Sequence, residues 1–285
     1  MAFAHNGDCD IYYETFGDPA DPALLMVNGL GSQSINYQDD WCRKFVDRGL
    51  FTIRFDNRDM GMSTHFTNAP TGDKGQCYTL SDMAADAIAV LDAEGIDRAH
   101  IMGLSMGGMI VQTIAIEHPG RVLTMTSVMS NTGEPGYGAP QENALRLLTA
   151  PPATDRQSYI AQGIEGFREW GSPEFADEER WAADLGRAFD RCFDPAGTAR
   201  QYYAVGASAP RAELLKTLDV PTLVIHGDKD TLIDASGGRR TAELIPGARF
   251  ELIEGMGHDY PPQLWDRWTK LVADHALQHQ PKTAF

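Results

Sequence analysis

The residue with the clearest chemical signature is a serine between two glycines. Ser105 lies in the segment Gly103–Gly107, which reads Gly-Leu-Ser-Met-Gly. An apolar run, Ala99–Leu104, precedes it, and a run of good helix formers follows it over 106–117. In this pattern a serine sits on a tight strand-to-helix turn, because small residues on either side let strand and helix approach closely. We therefore predict that Ser105 is an activated nucleophile rather than only a helix cap.

A serine hydroxyl needs a base to take its proton, and that base is usually histidine. In folds that carry this serine motif, the base follows the serine and the acid along the chain. Five of the eight histidines follow Ser105: His118, His226, His258, His275 and His279. His258 lies in a glycine-rich loop, 254–259, directly after a predicted strand, where such loops open onto the ligand-binding edge of a parallel sheet. We predict His258 as the base, and we expect His275 and His279 at the solvated surface.

The acid that orients this histidine is expected after the preceding strand. The predicted strand Thr222–His226 is followed by Gly227, Asp228, Lys229 and Asp230. The acid must hold the imidazole in position and stabilise its charged form. We favour Asp230 for this role and interpret Asp228 as a turn former, and Asp228 remains the alternative acid.

Backbone donors are needed for the negative oxygen of a tetrahedral intermediate. One is expected from Met106, the residue after the nucleophile, and the other from a loop after an early strand. Asn28–Gly31 follows the apolar run Leu24–Val27, and its two glycines allow an open backbone. We therefore predict an oxyanion hole formed by the N–H groups of Leu30 and Met106.

Another polar loop, Asp56–Ser63, follows the predicted strand Phe51–Phe55. It contains Asp56, Arg58 and Asp59. We interpret it as a structural turn held by an Asp–Arg hydrogen-bond pair.

Short apolar runs alternate with helical stretches over 11–129 and again after residue 212. The predicted strands are Ile11–Thr15, Leu24–Val27, Phe51–Phe55, Ile101–Leu104, Val122–Val128, Thr222–His226 and Arg249–Ile253. The predicted helices are Asp40–Arg48, Leu80–Glu94, Met106–Glu117, Ser236–Ile245 and Pro262–Leu277. Such alternation is typical of an α/β protein with a mostly parallel sheet and helices on both faces. We predict that 1–130 and 213–285 form this core.

Residues 131–212 differ from the core because they are rich in proline and aromatic residues and contain no clear strand. The predicted helices there are Tyr159–Trp170, Pro173–Arg187 and Thr198–Val205. We predict a helical cap inserted in the core. Nine aromatic residues could line an apolar pocket: Tyr159, Phe167, Trp170, Phe175, Trp181, Phe189, Phe193, Tyr202 and Tyr203. We expect about a third of them to touch substrate and the rest to be core.

Composition restricts the possible partners and the cellular location. The 285 residues include 24 basic and 40 acidic side chains, for a formal net charge of -16. This charge disfavours binding to nucleic acid or to an anionic membrane surface. Cys9, Cys42, Cys77 and Cys192 are scattered and form no paired motif, so we expect reduced thiols and no metal site. Without a signal-like start or a long apolar run, we expect a cytoplasmic protein, as a monomer or homodimer.

These motifs together resemble the α/β-hydrolase superfamily. The matching segments occur in the family's order: Asn28–Gly31, Asp56–Ser63, Gly103–Gly107, Gly227–Asp230 and Gly257–His258. The first half looks most similar to the aclacinomycin methylesterase group, and Phe16–Leu25, Arg54–Asp59, Gly103–Gly107 and Gly255–His258 carry that likeness. The resemblance implies hydrolysis of a small-molecule carboxylic ester through an acyl-enzyme on Ser105, without a metal or organic cofactor.

Two alternatives to ester hydrolysis remain open at the level of sequence. The same three residues could cleave a carbon–carbon bond or carry out perhydrolysis, because a fold does not fix a reaction. A protein of this fold could also bind a ligand without catalysis, although that function is usually marked by a broken triad. Epoxide hydrolysis and dehalogenation are disfavoured, because those relatives carry aspartate at the position of Ser105.

Overall fold

An eight-stranded sheet crosses the centre of the protein. The computed structural model describes residues 2–71 and 77–280. The strands are β1 (Ala2–Asn6), β2 (Cys9–Phe16), β3 (Ala23–Val27), β4 (Phe51–Phe55), β5 (Ala99–Leu104), β6 (Val122–Val128), β7 (Thr222–Gly227) and β8 (Arg249–Ile253). Their order in the sheet is β1-β2-β4-β3-β5-β6-β7-β8. Strand β2 is antiparallel to β1 and β4, whereas the other five pairs are parallel.

Helices cover both faces of the sheet. They are α1 (Asp39–Val46), α2 (Leu80–Ala93), α3 (Met106–Glu117), α4 (Glu142–Leu148), α5 (Arg156–Trp170), α6 (Glu178–Arg191), α7 (Pro195–Ala207), α8 (Ala212–Leu215), α9 (Ser236–Leu244) and α10 (Pro262–Gln278). On β3, Leu25 and Val27 pack into the core beneath α2 and α3, while Leu24 and Met26 pack into the core beneath α1 and α10. Burial on both faces explains the uninterrupted apolar sequence of this strand. The predicted fold class is confirmed.

The elements that the sequence failed to predict have weak local signals. Strand β1 is half exposed, with only Ala4 buried among its residues, so it shows little apolar pattern. It pairs with β2 through a turn at Gly7, whose φ of 59° favours glycine. In the insertion, α4 was not predicted. The predicted helix Pro173–Arg187 is instead a 3₁₀ turn at Pro173–Phe175 followed by α6, which begins after the capping side chain of Asp177.

Five helices, α4 to α8, lie between β6 and β7, and the described residues of this stretch contain no strand. Across the described parts of the chain, none of the helices combines the length and apolar character that crossing a lipid bilayer requires.

The prediction that His275 lies at the solvated surface is wrong. His275 is 5% exposed, on the buried face of α10, and its Nε2 donates to the carbonyl of Pro221 at 3.1 Å. His100 on β5 is also buried, and its ring bonds the Thr124 hydroxyl. Burial lowers the pKa of both His275 and His100 to about 4. His275 belongs to the buried face of α10, together with Val272 and Ala276.

These buried histidines predict that acid destabilises the fold. Between pH 6.5 and 4 these histidines bind protons in the unfolded chain but stay neutral in the native state. The free energy of unfolding therefore falls as the pH falls. Each such ring contributes up to about 1.4 kcal/mol per pH unit to the slope in that window. We expect His275→Gln to make the dependence of the unfolding free energy on pH shallower, as measured by urea denaturation. Leu277→Gln, at an exposed position of the same helix, is the control and should leave the slope unchanged, because it neither adds nor removes a titrating group. An identical slope in both variants would contradict the prediction.

Candidate active site

The turn between β5 and α3 holds Ser105 in an unusual backbone conformation. Its φ is 56°, in the left-handed region that residues with a Cβ rarely adopt. A Cβ placed on Gly103 would lie 2.0 Å from the Gly107 carbonyl oxygen, and one on Gly107 would lie 2.1 Å from the Val27 carbonyl oxygen. The two glycines are therefore required by backbone packing. This packing presents Ser105 at the carboxyl end of β5, as the sequence motif predicts.

Ser105, His258 and Asp230 form a continuous hydrogen-bonded chain. The Ser105 Oγ lies 2.9 Å from Nε2 of His258, and Nδ1 of His258 lies 2.7 Å from Oδ2 of Asp230. The three residues follow β5, β8 and β7 respectively, so the parallel strands bring them to one edge of the sheet. With Nδ1 donating to the carboxylate, the unprotonated Nε2 can accept the serine proton.

Asp230 is buried yet surrounded by donors. Its Oδ1 accepts hydrogen bonds from the backbone N–H groups of Leu232 and Ile233, at 2.9 and 2.8 Å. Burial opposes ionisation, but the charge of His258 and the hydrogen bonds from His226 and His258 outweigh it and lower the pKa of Asp230 to about 2. The group is therefore a carboxylate throughout the neutral range, ready to stabilise an imidazolium.

His226 is a second histidine on this carboxylate, and sequence reasoning assigned it no role. The side chain is fully buried on β7, with Nε2 at 2.7 Å from the Ile233 carbonyl and 3.3 Å from Oδ2 of Asp230. Its Nε2 proton is therefore shared between the carbonyl and the carboxylate. The only sequence signal was its position four residues before Asp230.

The His258 loop is held by hydrogen bonds to the end of α5 and to Ser172 just after it. The His258 N–H donates to the Trp170 carbonyl at 2.5 Å. The Ser172 hydroxyl accepts from the Gly257 N–H at 2.9 Å and donates to Oδ1 of Asp259. These contacts join the loop to the helical insertion, 85 to 88 residues away in sequence. No local sequence pattern could reveal them.

Asp228, the alternative acid, has a different place. Its Oδ1 accepts the Gly255 N–H at 2.7 Å, and its Oδ2 lies 3.0 Å from Nζ of Lys229. It therefore braces the base of the His258 loop, and Asp230 alone of the two carboxylates contacts the imidazole.

Two backbone N–H groups next to Ser105 are unused. In residues 2–71 and 77–280, neither Leu30 N–H nor Met106 N–H has a hydrogen-bond acceptor. Met106 begins α3, where the first N–H groups lack helical partners. The loop of Leu30 lies close to Ser105, because a Cβ on Gly29 would be 3.3 Å from the Ser105 Cβ. Both donors are thus available to a substrate oxygen.

A cavity of about 580 Å³ adjoins this loop. Leu30 and Gly31 form one part of its wall, and the segment before α5 together with α7 forms the opposite part. Four of the nine aromatic residues singled out in the insertion line it: Tyr159, Phe193, Tyr202 and Tyr203. Ser105 and His258 are not among the residues that line it. By contrast, Phe167 and Trp181 stack on each other at 5.1 Å and act as packing residues.

The loop Asp56–Ser63 is structural, but the expected pairing within the loop is wrong. Arg58 pairs with Asp86 on α2 instead. Asp56 pairs with Arg191 of α6, and Asp59 is bound through both oxygens by Arg200 of α7. Asp56, Arg58 and Asp59 therefore pair with residues outside their own loop. Two of these pairs, Asp56–Arg191 and Asp59–Arg200, connect the insertion to the core.

Near this anchor, ligand atoms of Asp59, His65 and Asp194 lie within 4.8 Å of one another, a spacing that a metal ion could use. The donor set does not fit one, because both oxygens of Asp59 are bound by Arg200 and both ring nitrogens of His65 face hydrogen-bond acceptors. We interpret the cluster as a network of ion pairs.

The chain belongs to the family described as alpha/beta hydrolase fold, which it matches over residues 22–260. It is similar to rhodomycin D methylesterase DnrP from Streptomyces peucetius, at 30% identity over 95% of this chain and 96% of that protein. It is also similar to 3-oxoadipate enol-lactonase 2 from Acinetobacter baylyi, at 27% identity over 87% and 86% of the two chains. The structure of an enol-lactonase from Burkholderia xenovorans LB400 shares the fold, with a TM-score of 0.78, 23% identity, and coverage of 97% and 100%. The predicted resemblance to methylesterases is confirmed.

The two aspartates after β7 give a direct test of the acid. We expect Asp230→Asn to lower kcat for an ester by on the order of 10⁴-fold, because an amide in that place favours the wrong imidazole tautomer and removes the balancing charge. Asp228→Asn is the matched control, two residues away, and should cost less than about tenfold because it keeps a hydrogen-bond acceptor for Gly255. Steady-state kinetics on both variants decide between them; a larger loss in Asp228→Asn would reverse the assignment.

Proposed function

We propose that this protein hydrolyses a carboxylic ester of a small apolar or aromatic molecule, with Ser105 as nucleophile, His258 as general base and Asp230 as orienting acid. The observation that carries the proposal is the pair of contacts at 2.9 Å and 2.7 Å that link these three side chains. The similarity to methylesterases favours an ester as the substrate class.

In the first half of the reaction, Ser105 Oγ attacks the ester carbonyl carbon while Nε2 of His258 takes the hydroxyl proton. The carbonyl oxygen becomes negative and accepts hydrogen bonds from the Leu30 and Met106 N–H groups. Asp230 stabilises the imidazolium. His258 then gives its proton to the leaving alcohol oxygen, and the acyl group remains on Ser105.

In the second half, water enters after the alcohol has left. His258 takes a proton from water, and the resulting hydroxide attacks the acyl carbon. The same two N–H groups hold the second oxyanion. Collapse of this intermediate returns the proton to Ser105 Oγ and releases the carboxylic acid.

The cavity beside Leu30 supports an apolar or aromatic substrate. Its volume, about 580 Å³, is in the range of small-molecule sites, and its four aromatic residues offer flat apolar contacts. We propose that residues 131–212 act as a cap on the core formed by 1–130 and 213–285, and that this cap selects the substrate. The anchoring pairs Asp56–Arg191 and Asp59–Arg200 support a fixed cap position.

A serine-directed probe and an ester panel test this function. We expect a fluorophosphonate to label the wild-type protein at Ser105 and methyl esters of aromatic acids to be converted to acid and methanol. Ser105→Ala should lose both, with activity falling on the order of 10⁶-fold. The control is Ser81→Ala, an exposed serine on α2.

Failure of the wild-type protein to take the probe, or probe labelling that persists in Ser105→Ala, would refute a serine mechanism. Labelling without turnover of any ester, but with cleavage of a dienone acid, would move the activity to carbon–carbon bond hydrolysis on the same triad. Peracid formation from peroxide and acetate would indicate perhydrolysis. The probe therefore tests whether Ser105 is the nucleophile, and the substrates test which bond is cleaved.

A further inference from the structure

A second arrangement of thiol, imidazole and carboxylate lies in the wall of the cavity. Cys192 directly follows α6 and is partly exposed, and it lines the cavity together with Phe193 and Asp194. Its Sγ lies 3.6 Å from Nε2 of His65, a residue 127 positions earlier in the chain. The proposed esterase mechanism uses none of these groups.

The ring of His65 is held as an imidazolium. Its Nδ1 lies 2.7 Å from Oδ2 of Asp194, and its Nε2 lies 3.2 Å from the Gly61 carbonyl oxygen. Neither of these acceptors carries a proton at neutral pH, so both ring nitrogens must donate. The hydrogen bond with Cys192, together with those to Asp194 and Gly61, raises the pKa of His65 to about 10 against the opposing effect of burial.

Asp194 is itself fixed. Its Oδ1 accepts the Gly197 N–H at 2.9 Å and so caps the start of α7, which leaves Oδ2 directed at His65. The order thiol, imidazole, carboxylate is that of a cysteine nucleophile activated by a paired histidine.

The other charged groups around the pair are already matched. Arg191 is paired with Asp56, and Arg200 is paired with Asp59 and approaches Asp194 at 3.5 Å. Tyr159 lies near Cys192 as well, and burial raises the pKa of its hydroxyl. His65 is thus the cationic side chain that contacts the sulfur directly, at 3.6 Å.

In the described part of the chain, none of the three other cysteines is hydrogen-bonded to a histidine. Cys9 and Cys42 are buried, and burial raises the pKa of each to about 12. Cys77 is partly exposed like Cys192, but burial and the charge of Asp59 raise its pKa. Cys77 is therefore an internal control thiol, because its exposure is similar to that of Cys192 but its neighbouring charge is the carboxylate of Asp59 rather than an imidazolium.

We propose that Cys192, His65 and Asp194 form a reactive thiol site that adds to α,β-unsaturated carbonyl compounds entering the cavity. The Cys192 thiolate sulfur forms a bond to the β-carbon, and the electron pair of the carbon–carbon double bond moves to give an enolate. His65 gives its Nε2 proton to the α-carbon of that enolate, which leaves a neutral imidazole and a thioether. Atoms and charges balance without any oxidant or reductant.

The adduct has a consequence for the esterase, and this part rests on the proposed function. Cys192 and Leu30 both belong to the wall of the same cavity. A group attached at Cys192 would occupy space that an ester needs in order to reach the oxyanion loop. The site would therefore let an electrophile shut off ester hydrolysis without touching Ser105.

The labelling rate of each cysteine by N-ethylmaleimide tests the site, with adducts located by peptide mass spectrometry. At pH 7 we expect Cys192 to react at least about tenfold faster than Cys77, because the thiolate is the nucleophile. Equal rates at the two cysteines, or a faster rate at Cys77, would overturn the proposal.

Two variants test the role of the imidazolium. His65→Gln keeps a polar side chain but removes the charge, and we expect it to slow labelling of Cys192 by at least about tenfold while leaving Cys77 unchanged. Asp194→Asn should slow it in the same direction and serves if His65→Gln does not fold. The control is His5→Gln, since His5 forms an exposed pair with Asp10 at 2.6 Å and lies far from the thiol in sequence. An unchanged labelling rate of Cys192 in folded His65→Gln would refute the activation of Cys192 by His65.

Ester turnover after labelling tests the effect on the cavity. We expect activity to fall in proportion to the fraction of Cys192 modified, while Cys192→Ser keeps its own untreated activity through the same treatment. Full activity in protein quantitatively labelled at Cys192 would overturn the cavity effect. The labelling rates are also measured in Ser105→Ala, where the same values are expected, so that a failure of the esterase assignment leaves the test of the thiol intact.

Discussion

The close packing of backbone between β3, β5 and α3 is the constraint on which the site depends. Gly103 and Gly107 have no room for a side chain, and their contact forces Ser105 into a left-handed conformation. The same contact places the first N–H of α3 beside Ser105 and the Gly29 loop next to the Ser105 Cβ. One steric requirement therefore fixes the hydroxyl and both candidate oxyanion donors together, and any larger residue at either glycine would displace all three.

A second constraint ties the insertion to this edge of the sheet. The ion pairs Asp56–Arg191 and Asp59–Arg200 reach from the core into α6 and α7, and Asp56, Asp59 and Arg200 are buried. Replacing one partner of such a pair leaves an unmatched buried charge, which costs far more than the intact pair contributes. The geometry of the cavity wall is thus coupled to the loop after β4, and the carbonyl of Trp170 couples the insertion to His258 as well.

Local sequence patterns predicted helices and strands, but they did not predict which side chains contact each other. The bounds of α3 and β6 agree with those read from sequence, because helix formers, strand formers and Pro119 mark them within a few residues. The strands that precede Ser105, Asp230 and His258 also occur where the sequence predicts them. The contact of His65 with Cys192 spans 127 residues, and the buried face of His275 is set by its packing against Pro221. Such pairs are decided by tertiary packing, which residue types alone do not encode.

Two buried carboxylates near His258 have opposite pKa shifts. Asp230 contacts the His258 ring and Asp259 follows His258 in sequence, and burial opposes the ionisation of both. Asp230 receives two backbone N–H groups and two imidazoles, which reverses the effect, whereas Asp259 receives only the N–H and hydroxyl of Ser172 and keeps a raised pKa. Within the described residues, Oδ2 of Asp259 has no partner at all. The number and charge of the donors, set for Asp230 by the turn after β7, therefore lower the pKa of Asp230, whereas the pKa of Asp259 stays raised.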